Sequence, residues 1–174
     1  MRVVTMLIAM ALTVAAVDAC AADAYKIVDT GDLGEYWNFE TKMPWPSFPH
    51  SSLWKRVNVC VAIGFSVESD GRADNVSILR VNSSNNDPKE IESMKKAMIE
   101  GVSAWRFVPA ETNTMRAPLY TYTITSMSYV AQGTMPGVRE RHAKEVSAAC
   151  VIPDFLDKAA RGEIGPRSLK IVSR

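Results

Sequence analysis

The run from Val57 to Val67 constrains the chain more than any other stretch. Val57, Val59, Val61, Ile63, Phe65 and Val67 alternate with Asn58, Cys60, Ala62, Gly64 and Ser66. Period two is the spacing of a β-strand, whose successive side chains point to opposite faces of a sheet. One face is therefore a core face. The other is small and half polar. Ala62 and Gly64 leave almost no side chain there, which predicts that another part of the chain lies close against it. Cys60 stands on that second face. Asp70-Gly71 then signals a hairpin, because glycine accepts the positive φ of tight turns. The following run, Asp74 to Arg80, repeats Val76 and Ile78 with period two and reads as the second strand.

A helix is expected next. Asp87 fits an N-cap, Pro88 the first helical position, and Glu90 completes a capping-box pattern. Ile91, Met94, Met98, Val102 and Trp105 recur at three- and four-residue spacings and form one apolar stripe, opposite a charged face of Glu92, Lys96 and Glu100. Gly101 weakens the last turns and predicts a helix end before Trp105. Trp105-Arg106-Phe107-Val108-Pro109-Ala110 reads as an extended exit with Trp105 and Phe107 facing the core. A third strand is expected over residues 117–130, with Tyr120, Tyr122 and Ile124 on one face and Thr121, Thr123 and Thr125 on the other. As the last strand of a small sheet it is expected at an edge, offering unpaired main-chain groups. Helices are expected over residues 138–150 and 153–161.

The flanks divide the chain into four parts. Val3 to Val17 is an uncharged run behind Arg2, shorter than the roughly 20 residues of a membrane-spanning helix. Ala19-Cys20-Ala21 has the small-x-small form of a cleavage site, so residues 1–22 are expected to be a secretory signal peptide. In an alternative reading, Val17-Asp18-Ala19-Cys20 resembles a lipobox and Cys20 becomes a lipidated N-terminus. Residues 23–47, rich in Gly, Pro and aromatics, are expected as an irregular arm packed on the domain. Residues 48–130 form the central domain and residues 131–174 a helical C-terminal extension. Removal of the signal leaves Cys60 and Cys150, an even number of thiols in an exported protein. A Cys60–Cys150 disulfide is expected, pinning the C-terminal helix to the small-residue face. Two buried thiols acting as small hydrophobes are the alternative.

Little in the sequence points to chemistry. His50 and His142 each stand alone, without Cys, Asp or Glu at metal-ligand spacing. There is no phosphate-binding loop, no nucleophile elbow and no Cys-x-x-Cys pair. No catalytic residue, metal, cofactor or small-molecule substrate is expected, and a formal net charge of +1 argues against a nucleic-acid partner. The expectation is a protein that binds protein.

Four features carry a resemblance. They are Phe48-Pro49, the alternating strand ending in Phe65-Ser66-Val67, the turn Asp70-Gly71-Arg72 with the strand behind it, and the exit Trp105-Arg106-Phe107-Val108-Pro109-Ala110. With them, residues 48–130 resemble the C-terminal domain of the TonB family, the periplasmic end of energy transducers that act on outer-membrane transporters of Gram-negative bacteria. The resemblance implies a two-layer α+β fold, a three-stranded antiparallel sheet with helices packed on one face. It also implies a periplasmic location and an envelope-protein partner, such as a TonB-dependent transporter. A segment of that partner would add to the edge strand along Tyr120, Tyr122, Thr123, Ile124 and Thr125. The chain departs from the family pattern at Val59, where a glycine is usual, and in the longer stretch between Asn82 and Trp105. With the signal removed, neither the membrane anchor nor the Pro-rich spacer of a transducer is expected. The alternative is a stand-alone structural or assembly protein of the envelope that uses the fold as a scaffold.

Overall fold

The computed structural model describes residues 25–40, 57–130 and 135–165. The signal peptide, Cys20 and the Phe48-Pro49 pair lie outside them. The elements run β1 (Lys26–Ile27), a 3-10 turn (Leu33–Glu35), β2 (Trp37–Phe39), β3 (Val59–Val67), β4 (Ala73–Ser83), α1 (Pro88–Ser103), β5 (Phe107–Pro109), β6 (Leu119–Met127), α2 (Pro136–Ala148) and α3 (Phe155–Ala160).

The alternation of β3 organises everything else. Val59, Val61, Ile63, Phe65 and Val67 enter a core with Met94, Met98 and Val102 of α1 and with Trp37 and Trp105. Cys60 and Ala62 enter a second cluster with Tyr120, Tyr122, Cys150, Phe155 and Ala159. All nine residues of β3 are buried, as in a central strand covered on both faces. The sheet thus has α1 on one side and, on the other, α2 and α3 of the C-terminal extension, packed on the small-residue face as expected. The small even-numbered residues of β3 make room for that second layer.

The strand order is β1-β6-β3-β4. β3 is antiparallel to both β4 and β6, while β1 runs parallel to β6, pairing Lys26 with Leu119 and Ile27 with Tyr120. The expected three-stranded antiparallel sheet is therefore a four-stranded mixed sheet. A separate ribbon joins β2 to β5, with Trp37 opposite Pro109 and Phe39 opposite Phe107. Residues 25–40 hold two short strands where irregular chain was expected, because Val28, Leu33 and Trp37 are drawn into the main core.

Asp87 caps α1 as expected, accepting from the Lys89 N–H at 3.0 Å. Glu90 does not close a capping box. The Asp87 N–H donates to Asn85 Oδ1 at 3.1 Å, and Asn85 Nδ2 donates to Glu90. The helix ends at Ser103, so Trp105 leaves the apolar stripe and enters the core from the exit strand. β4 breaks register against β3 twice. Leu79 is the extra residue between the Ala62–Arg80 and Ile63–Ile78 pairs, and the second irregularity holds Asn75 at φ 50°. Cys60 and Cys150, both fully buried, form the expected disulfide, with S–S 2.07 Å.

Candidate functional site

Two constellations named from the sequence are brought together in different ways. The motif residues form one seam. Gly71 sits at φ +82°, a conformation that glycine adopts without steric cost. Its carbonyl accepts from the Phe107 N–H at 2.8 Å, and the Ala73 N–H donates to the Trp105 carbonyl at 3.3 Å. Arg72 lies opposite Arg106 in an antiparallel bridge. Trp105 and Phe107 then meet Phe65 at ring distances of 5.6 and 5.9 Å. Pro109 ends β5 against Trp37. Asp70 and Arg72 pair on the surface at 2.6 Å. The hydrogen bond from Arg72 holds the Asp70 carboxyl below its usual value, and the same bond raises the Arg72 guanidinium. These contacts make the seam a joint that docks the hairpin turn onto the exit strand.

β6 is the second constellation. The Val28 N–H donates to the Tyr120 carbonyl at 3.0 Å, and the Lys26 N–H to the Pro118 carbonyl at 3.2 Å. Even-numbered residues of β6 therefore turn their main-chain groups away from β3, while odd-numbered ones bond to it. By that alternation Tyr122, Ile124 and Ser126 present N–H and C=O groups at the outer edge. Among the described residues no strand pairs with them. Among the described residues, β6 is thus capped by β1 at its start and unpaired on that side beyond it.

The side chains of the five expected contact residues divide. Tyr120 and Tyr122 are buried in the second cluster, and Ile124 packs against it. Thr123 and Thr125 are half-buried on the opposite face. Ser126 joins Ser147 of α2 at 2.7 Å. Tyr120 lies over Gly64, where any Cβ would overlap its hydroxyl, and its ring stacks on Phe155 at 5.9 Å. Along this edge the exposed polar groups are mainly those of the backbone. Ser126 and the capping strand β1 were not legible. Ser126 carries no apolar signal, and a two-residue strand is too short to show a period.

Burial raises the Tyr120 phenol above its ordinary value. The Ser77 hydroxyl pulls weakly the other way, without a well-formed hydrogen bond. Tyr122 is raised by burial and then by the Asp29 carboxylate, against the Ile152 backbone. A phenol whose native pKa lies above the unfolded value of about 10 keeps its proton longer in the native state. Its contribution is complete below pH ~10 and is lost as pH rises through the native pKa, with a limiting slope of about 1.4 kcal/mol per pH unit per tyrosine. Urea titrations are expected to give constant stability from pH 7 to about 9 and a fall above about 10. Tyr120→Phe is expected to flatten that fall; an unchanged alkaline limb removes Tyr120 as its source.

Among the described residues no group of three His, Cys, Asp or Glu is placed to hold a metal ion. No family model matches the sequence, and no curated protein does. Among solved structures, the fold is similar to the NMR structure of the Pseudomonas aeruginosa TonB CTD, with 14% identity, a TM-score of 0.41, and coverage of 62% of this chain and 97% of that one. It is also similar to the NMR structure of the Helicobacter pylori TonB-CTD, with 10% identity, a TM-score of 0.34, and coverage of 50% and 72%.

Proposed function

We propose that this chain is a periplasmic protein-binding module whose β6 edge takes up an extended segment of an envelope protein, an outer-membrane transporter being the partner that the motif resemblance implies. One observation carries the reading. Among the described residues, no strand pairs with the outward main-chain donors and acceptors of Tyr122, Ile124 and Ser126, which stand in strand spacing beside a buried β3. Strand addition draws its affinity from such groups and needs no exposed aromatic side chain. The opposite edge is a poorer template, because the two irregularities of β4 disrupt a straight ladder.

The second reading, a scaffold whose contacts lie elsewhere, is favoured by the burial of Tyr120 and Tyr122 under the C-terminal helices.

Proline at the right parity separates the two. Thr123 faces Ile63 of β3 through its main chain, so proline there damages the sheet itself. Ile124→Pro instead deletes an outward donor, a placement that edge strands tolerate. Synthetic peptides copying N-terminal segments of outer-membrane transporters are titrated against both proteins, with circular dichroism as a folding check. Saturable binding by the wild type is expected, weakened at least about tenfold in Ile124→Pro. No binding by the wild type, or equal binding by a folded Ile124→Pro, defeats the edge reading.

A further inference from the structure

We infer that β1 is a register stop, which fixes where a partner strand on β6 must end. The inference rests on the strand-addition reading and adds to it the length and placement of the segment taken up. The Lys26 N–H of β1 and the Val28 N–H just after it donate to the carbonyls of Pro118 and Tyr120. A partner residue opposite Tyr120 needs the carbonyl that Val28 already holds. Beyond Val28 the strand gives way to a turn, in which the Asp29 carbonyl accepts from the Asp32 N–H at 3.0 Å. Among the described residues no strand takes the next outward positions, Tyr122, Ile124 and Ser126, and the segment that fits them is about six residues long, an ordinary strand length.

β1 is not a loose end that a partner displaces at no cost. Val28 is buried in the main core, and Leu33 and Trp37 follow it there. Tyr25 donates to the Glu68 carboxylate at 2.6 Å, and Lys26 both bonds to the Tyr36 hydroxyl and lies 4.0 Å from that ring's centre. Trp37 Nε1 donates to the Ala117 carbonyl at 3.2 Å, just ahead of β6. The arm is thus held on both sides of β1 by contacts that do not depend on a partner. The occupant is an extended segment that stops at Tyr122, with its continuation directed off the sheet.

The test uses the whole protein and the transporter-segment peptide that binds it best, trimmed or extended to about four, six and eight residues. Affinity is expected to rise to about six residues and then level off. In Lys26→Pro/Val28→Pro, which removes both donors, the eight-residue peptide is expected to gain about tenfold over the six-residue one, the worth of two added ladder bonds. Because Val28→Pro alters a core residue, amide hydrogen exchange on the wild type provides an independent measurement. Bound peptide is expected to slow the Tyr122, Ile124 and Ser126 amides and leave Lys26 and Val28 unchanged. Affinity that keeps rising past six residues in the wild type overturns the stop, and so does faster exchange at Lys26 and Val28. If no peptide binds, the strand-addition reading fails and takes the stop with it.

Discussion

Replacing Cys60 and Cys150 together by alanine is expected to lower the unfolding free energy by about 4 kcal/mol, read as the shift between urea curves of the variant and the oxidised wild type. The disulfide joins residues 90 apart. In the chain-entropy account, closing a loop of that length removes about 4 to 5 kcal/mol of freedom from the unfolded state. The loss is also expected to be uneven. α2 contributes no fully buried residue of its own. It is held on the sheet by the disulfide, by the Ser126–Ser147 pair, and by neighbours such as the Arg80 guanidinium on the Val151 carbonyl at 3.0 Å. Amide exchange in α2 is therefore expected to quicken before that of β3. Equal stability of the variant and the oxidised wild type, or uniform exchange, shows that the bridge does not carry the second layer.

Gly71→Ala is expected to cost about 3 kcal/mol and to lower the melting temperature by roughly 10 °C. The left-handed backbone alone costs an L-residue about 1 to 2 kcal/mol. The added Cβ also overlaps the Phe107 carbonyl oxygen, so the turn and the exit strand must separate. That separation weakens the Phe107-to-Gly71 hydrogen bond, about 1 kcal/mol more. Scanning calorimetry reads the shift directly. A loss under about 1 kcal/mol indicates that the seam relaxes and that the turn is not its rigid part.

The sheet was legible where the chain repeats itself. The alternation from Val57 to Val67 separates the two faces of β3, and the structure keeps that division. The same parity put Cys60 on the small face, and with it the attachment point of the C-terminal helix. Asp87-Pro88 marks the start of α1 because a cap is a local hydrogen bond. β1 was not legible, since Lys26 and Ile27 become a strand only through the carbonyls of Pro118 and Tyr120, more than ninety positions on. The irregularities of β4 escaped for the same kind of reason. Asn75 and Leu79 look like ordinary strand residues until β3 is laid beside them. At the candidate edge, the sequence divided the faces of β6 correctly. It did not show which positions face outward through the backbone, which depends on the neighbouring strand.

The covalent bridge also changes how the molecule carries load. Tension applied between the two chain ends passes from Cys60 through the sulfurs to Cys150, and bypasses everything between them. The bypassed stretch contains most of β3 and all of β4, α1, β5, β6 and α2. At about 3.4 Å per residue, roughly 300 Å of chain is withheld from extension. The β6 edge lies within that sheltered length, whereas β1 and β2, which lie ahead of Cys60 in the chain, stand directly in the line of pull.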